Sequence, residues 1–165
     1  MKKMIRGVWV LAGLSLLLWG YFVLFPSDEK QIRARLQRLS HLASIESGES
    51  MLVRLAKANQ LVDLFSANIS IHFQGRGRDF GPITDRAELR EALLAVQANV
   101  KQAQIHFPGV ELEIAPDKQS ATAQLTALID LNGEKNEIVH ELKFVLQKIE
   151  KQWLITEVSS LRNVK

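Results

Sequence analysis

The sequence predicts an α+β domain carried behind an N-terminal transmembrane helix, and three observations predict it. An uncharged run extends from Gly7 to Ser27. Apolar residues then recur at spacings of three and four as far as about Val100, the mark of amphipathic helices. From Lys101 onward the spacing changes to two, the mark of strands with one buried face. Helices grouped ahead of an antiparallel sheet make an α+β domain, and 165 residues suit one modest core.

The first element is the anchor. Lys2, Lys3 and Arg6 form a basic stub ahead of the apolar run. At about 1.5 Å per residue, a helix over Gly7–Ser27 spans the roughly 30 Å hydrocarbon layer. A cleaved secretory signal would be shorter and would end in a small-x-small site. Here the exit reads Tyr21-Phe22-Val23-Leu24-Phe25-Pro26. Trp9 at one end, and Trp19 and Tyr21 near the other, suit the two interfaces. Residues 1–27 are therefore expected to be the stub and a single anchor, and residues 28–165 the domain. Lys30, Arg33, Arg35 and Arg38 follow the run, so counting positive charges on the two flanks does not orient it. The short basic stub directly before the run favours a cytoplasmic N-terminus, with the domain exported from a bacterial inner membrane.

Ser27 can cap a helix whose first turn carries Asp28 and Glu29, favourable at the positive end of the dipole. Ile32, Leu36, Leu39 and Leu42/Ala43 make one apolar stripe. "SIESGES" breaks it, and "MLVRLAKANQLVDLF" predicts a second helix to about Ser66. "NISIHF" alternates as a strand, with Ile69, Ile71 and Phe73 on one side. "DRAELREALLAVQANV" is the third helix, with Asp85 and Glu88 at capping-box spacing. Three strands follow: Val110–Ile114, Ala121–Leu131 and Ile138–Leu146. Asn132-Gly133 between the last two is a strong hairpin signal. A two-residue loop there sets Leu125 opposite His140 and Ala123 opposite Leu142; a four-residue loop keeps the same parity.

The pI is 9.3, but the positive charge is not on the domain. Residues 1–38 hold seven Lys/Arg against Asp28 and Glu29; the remainder carries 14 basic and 16 acidic groups. Without a basic footprint, nucleic-acid binding is not expected. The chain has no cysteine, which removes disulfides, thiolate metal sites and a cysteine nucleophile. No His or carboxylate cluster has metal spacing, and no cofactor is expected. The glycines of "FQGRGRDFGPITD" evoke a dinucleotide loop, but their spacing is G-x-G-x-x-x-G, and no P-loop Lys-Ser/Thr follows. They are read as turns linking the first strand to the third helix.

The element order, together with "ISIHF", "ITDRAELREALLAV" and "VLQKIEKQWLITEVSSL", resembles the nuclear transport factor 2-like superfamily. That superfamily is a cystatin-like cone which includes ketosteroid isomerase, scytalone dehydratase, SnoaL-like cyclases and many non-enzymatic domains. Trp153-Leu154-Ile155 matches the Trp-x-Ile that follows the family's last hairpin, and the resemblance spans about residues 30–160. One departure is the final turn, Glu150-Lys151-Gln152, which lacks the family's usual Gly. The resemblance implies three helices packed on a curved antiparallel sheet, with a pocket between them.

Ketosteroid isomerase-type chemistry needs a tyrosine in its oxyanion hole, and the chain's one tyrosine, Tyr21, lies in the anchor. The candidate catalytic residues are His140, on the apolar face between Ile138 and Leu142, and Glu157. An even-numbered last hairpin loop sets Glu157 opposite Phe144, where an apolar pocket would raise its pKa. The bland alternatives are a core or rim histidine and a carboxylate past the pocket mouth. Two functions follow. In the first the domain is a non-catalytic binding or assembly module at the membrane. It then looks like VirB-type inner-membrane components of type IV secretion systems and forms a homodimer through Leu128, Val139 and Val145 on the sheet's outer face. In the second it is a SnoaL-like enzyme or carrier with a small apolar ligand in the pocket. The thin polar inventory favours the first.

Overall fold

A computed structural model of the protein describes residues 27–74, 79–133 and 138–161. Three helices, α1 (Asp28–Ala43), α2 (Met51–Val62) and α3 (Arg86–Asn99), pack on a seven-stranded sheet. The strands are β1 (Phe65–Gln74), β2 (Asp79–Asp85), β3 (Ala103–His106), β4 (Val110–Ile114), β5 (Ser120–Leu131), β6 (Ile138–Ile149) and β7 (Gln152–Ser160). Their order is β2-β1-β7-β6-β5-β3, with β4 also paired to β5. The expected α+β class holds. The anchor run lies outside the described residues except for Ser27, and among those described no helix is long and apolar enough to cross a membrane.

The helix starts follow from local chemistry. The side chains of Ser27, Ser50 and Asp85 each accept a first-turn backbone N–H. At α3 the reciprocal half of the capping box sits one residue early, because Glu88 accepts from the backbone N–H and hydroxyl of Thr84. α1 buries Ile32, Leu36, Leu39 and Leu42, the predicted stripe. α2 ends at Val62, short of the predicted Ser66. Leu64 and Phe65 continue its apolar spacing, but Phe65 pairs instead with Ile155 of β7, so tertiary pairing overrides the local period.

Two features of the sheet correct the sequence reading. The glycine-containing link is not a passage from strand to helix: β2 intervenes and pairs antiparallel with β1, while residues 75–78 lie outside the described chain. Gly81 and Pro82 are both disfavoured inside a strand. They are tolerated because β2 is an edge strand whose pairing is irregular where Pro82 falls, between Ile71↔Ile83 and Phe73↔Phe80. An antiparallel hairpin also lacks the parallel strand–turn–helix geometry that a dinucleotide loop requires. Second, the sheet is not wholly antiparallel, since β1 runs parallel to β7. A parallel neighbour needs a long crossover connection, and the chain from β2 through β6 supplies one.

The β5–β6 hairpin keeps the predicted parity but is shifted by two residues. Leu125 faces Leu142, Ala123 faces Phe144 and Ala127 faces His140. Small residues therefore lie opposite large ones on the inner face. That pattern lets Phe144 and Leu146 fill space that Ala123 and Ala121 leave, at 3% and 0% exposure. The β6–β7 turn has two residues, Glu150 and Lys151, with φ of 49° and 66°. Both positions are left-handed, as a type I′ turn requires, and neither is Gly or Asn. Replacing the pair by Asn-Gly is expected to stabilise the fold by about 1 kcal/mol, read as a melting temperature higher by about 2–4 °C.

Asp28 ties the start of α1 to that same hairpin. Its Oδ1 accepts from Lys148 Nζ at 2.6 Å and from Trp153 Nε1 at 2.9 Å, and Lys148 lies 5.5 Å over the Trp153 ring. Hydrogen bonds from Lys148 and then Trp153 hold the Asp28 carboxyl below its ordinary value of 3.8. A carboxylate depressed on folding contributes stability that is present above its unfolded value and lost as pH falls through its folded value. Stability is therefore expected to decline below about pH 4, and Asp28→Asn should flatten that decline. Urea midpoints of both proteins between about pH 5 and pH 2 check this.

Candidate functional site

Among the described residues, the face of the sheet that meets the helices, where the pocket was expected, is apolar. The inner face of the sheet presents Ala121, Ala123, Leu125, Ala127, Leu142, Phe144, Leu146, Trp153, Ile155 and Val158, all buried, against Ile32, Leu36, Leu39, Leu61 and Leu89. Phe107 closes one side, its ring 6.4 Å from that of Phe144 at 58°. Ser66 and Gln97 are the only polar side chains fully buried among the described residues, and Gln97 stands on α3 rather than on the sheet. His140 has the inward parity the alternation predicts, opposite Ala127, yet it is exposed, next to a 40% exposed Ile138 and outside the buried stretch from Leu142 to Leu146.

Glu157 does not join it. The last loop is even-numbered as expected, and Trp153 and Ile155 are buried at 1% and 0% exposure. A bulge then changes the register: Leu146 pairs with Ile155, but Val145 pairs with Glu157 and Phe144 with Val158. The extra residue flips the strand, so Val158 takes the inner position and Glu157 shares the outer face with Val145. The expected Glu157–Phe144 pairing is thus replaced by Val158–Phe144. His72 and His41 are exposed as well, and an exposed His106 sits opposite Leu128 on the outer face.

Polar groups converge instead in the helical layer. A cavity of about 400 Å³ lies between α2, α3 and the link that precedes α2, lined by Glu49, Met51, Arg54, Leu94, Gln97 and Ala98. Glu49 forms an ion pair with Lys57, whose Nζ also donates to the Ser44 carbonyl at 3.1 Å. Arg54 reaches from α2 to the C-terminal end of α3, where its Nη atoms donate to the carbonyls of Gln97, Val100 and Lys101. The last turn of α3 has no basic residue of its own, so Arg54 supplies the cation that the negative end of that helix favours. Among the described residues, three enclosed atoms on residues that line this cavity, Glu49 Oε2, Arg54 Nε and Gln97 Oε1, have no hydrogen-bond partner, and each has almost no accessible surface. Sequence reasoning missed all three residues. One signal was available: Gln97 continues the Leu89, Leu93 spacing on α3, a polar residue on an inward stripe.

No protein-family model matches the chain, and no curated protein sequence does. Solved structures do. A protein of unknown function with a cystatin-like fold from Nostoc punctiforme is 12% identical with a TM-score of 0.64, covering 82% of this chain and 91% of its own. A nuclear transport factor 2-like protein with a cystatin-like fold from Novosphingobium aromaticivorans is 16% identical with a TM-score of 0.62, over 94% and 90%. A candidate scytalone dehydratase from the same organism is 11% identical with a TM-score of 0.59, over 82% and 85%. At these identities the likeness is one of fold. The described chain has the cystatin-like α+β fold of the nuclear transport factor 2-like proteins.

Proposed function

We propose that the protein is a non-catalytic binding and assembly module, held at a membrane by the run 7–27 with the domain from residue 28 on the exported side. The observation that carries this reading is that, among the described residues, the buried cluster between sheet and helices is apolar and neither candidate acid–base residue enters it. Dehydratase or isomerase chemistry needs acids, bases or hydroxyls converging on a substrate, and here His140 and Glu157 lie on opposite faces of the sheet. The start of α1 also suits a tether, because Asp28 is fixed to Lys148 and Trp153 one residue after the run ends.

Self-association uses the outer face of the sheet. Leu128 and Val139 are direct cross-strand partners there, and Val139 is 54% exposed. Val145 lies further along β6 on the same face, separated from Val139 by Glu141 and Lys143. A two-fold axis that sets β6 antiparallel to its copy brings Glu141 of one protomer against Lys143 of its partner, so the face is self-complementary in charge as well as apolar at its ends. The test is sedimentation of the full-length protein in detergent, alone and as Leu128→Lys/Val139→Lys. The expected result is a dimer that weakens at least about tenfold in the variant while its melting transition remains. A wild-type monomer at every concentration would sink the proposal.

A further inference from the structure

We propose that the self-associating face locks through a proton-dependent contact, in which His106 of each protomer seats in a depression beside Glu111 and Glu113 of its partner. The contact rests on the sheet-face dimer proposed above. The depression, of about 140 Å³, is lined by Glu111, Leu112, Glu113, Thr122 and Gln124. It lies on the outer face of the sheet, where β4 pairs with β5. Glu111 and Glu113 are exposed there, and His106 is exposed on the same face further along β5. Among the described residues, none of these three side chains forms an ion pair within the protomer.

Strand register fixes where symmetry sets these groups. One row across the outer face reads His106, Leu128, Val139, and another reads Glu113, Thr122, Val145. The two-fold axis that brings Glu141 against Lys143 of the partner passes at the level of Leu142, midway between Val139 and Val145. It therefore sets Val139 over Val145 of the partner, and with it the first row over the second. Leu128 then meets Thr122 of the partner, and His106 meets Glu113 of the partner at the depression. Face-packed sheets stand about 10 Å apart, a gap that an imidazole and a carboxylate extended toward each other can span. Two such contacts form, one on each side of the axis.

The two carboxylates favour the imidazolium over the neutral ring, so association takes up protons. Within its own protomer His106 faces Leu128 across β5, with Asp130 on the diagonal. The helix α1, whose Ser40 and Ser44 bond the backbone of Ile105, carries His41. Asp130 attracts the imidazolium in monomer and dimer alike, so the carboxylates of the partner are what link its proton to association. A group that holds its proton more tightly in the dimer strengthens association fully below its free value, and that contribution is lost as pH rises through its value in the dimer. Histidine ordinarily titrates at about pH 6.5, so the dimer is tighter in mild acid than above neutrality.

The test is sedimentation of the full-length protein in detergent at about pH 5.5 and about pH 8. The expected result is a wild-type dimer at least about fivefold tighter at the lower pH. His106→Gln should keep its melting transition and show a dissociation constant that no longer depends on pH. At about pH 5.5, Glu113→Lys should weaken the dimer at least about fivefold. Combining it with His106→Glu swaps the charges across the interface and should recover most of that loss. A wild-type dimer equally tight at both pH values, pH dependence that persists in His106→Gln, or a charge swap no tighter than Glu113→Lys alone would each overturn the contact and leave the sheet-face dimer standing. A wild-type monomer at every concentration would overturn the dimer and the contact together.

Discussion

Trp153→Ala is expected to cost about 3–5 kcal/mol of stability, a large share of the 5–15 kcal/mol typical of a domain. Trp153 is 1% exposed and stands on the inner face beside Ile155 and Leu146. Its truncation opens a cavity where β7 meets α1 and also ends the Nε1 donation to Asp28 at 2.9 Å. That second loss leaves Asp28 with Lys148 as its remaining side-chain partner there. Trp153→Phe separates the two effects: it keeps most of the ring volume and should lose only about 1–3 kcal/mol. In combination with Asp28→Ala the costs should be less than additive, since both changes break the same hydrogen bond. Urea denaturation of the wild type and these variants decides the matter. A loss below about 1 kcal/mol for Trp153→Ala would contradict the packing of the hairpin on α1.

Arg54→Ala should be the next most costly change, at about 3 kcal/mol, because hydrogen bonds from a charged donor contribute about 1.5–3 kcal/mol each and are not additive. The guanidinium joins α2 to the end of α3 through three carbonyls, two of them beyond the helix itself, at Val100 and Lys101. α2 has little else to hold its first half. Met51 and Leu52 are 80% and 79% exposed, and its burial is confined to Ala58, Leu61 and Val62. The loss should therefore be local as well as global. Hydrogen exchange is expected to quicken in α2 and in the last turn of α3 well before the sheet responds. Arg54→Lys should recover only part of the stability, since an ammonium cannot span three carbonyls with the fixed geometry of the guanidinium. Uniform exchange across helices and sheet in Arg54→Ala would show that the contact is not a local tether.

By itself the sequence determined whatever one segment can encode. The stripe on α1, the serine and aspartate caps, the alternation of β5 and β6, and the buried Trp153 and Ile155 all follow from spacing along a single stretch of chain. Parity survived because an even loop of either length puts the same faces together, but the two-residue offset did not, since it depends on the loop joining the strands. What the tertiary structure decided are relations between segments. Gly81 and Pro82 could enter a strand only because that strand forms an edge, and Phe65 left its helix only because β7 was there to pair with it. A single bulge moved Glu157 from the inner face to the outer and put Val158 in its place. Glu49, Arg54 and Gln97 came together because the link, α2 and α3 pack around one cavity. No spacing records that meeting: local periodicity specifies which face of an element is apolar, whereas convergence of polar groups depends on how whole elements pack.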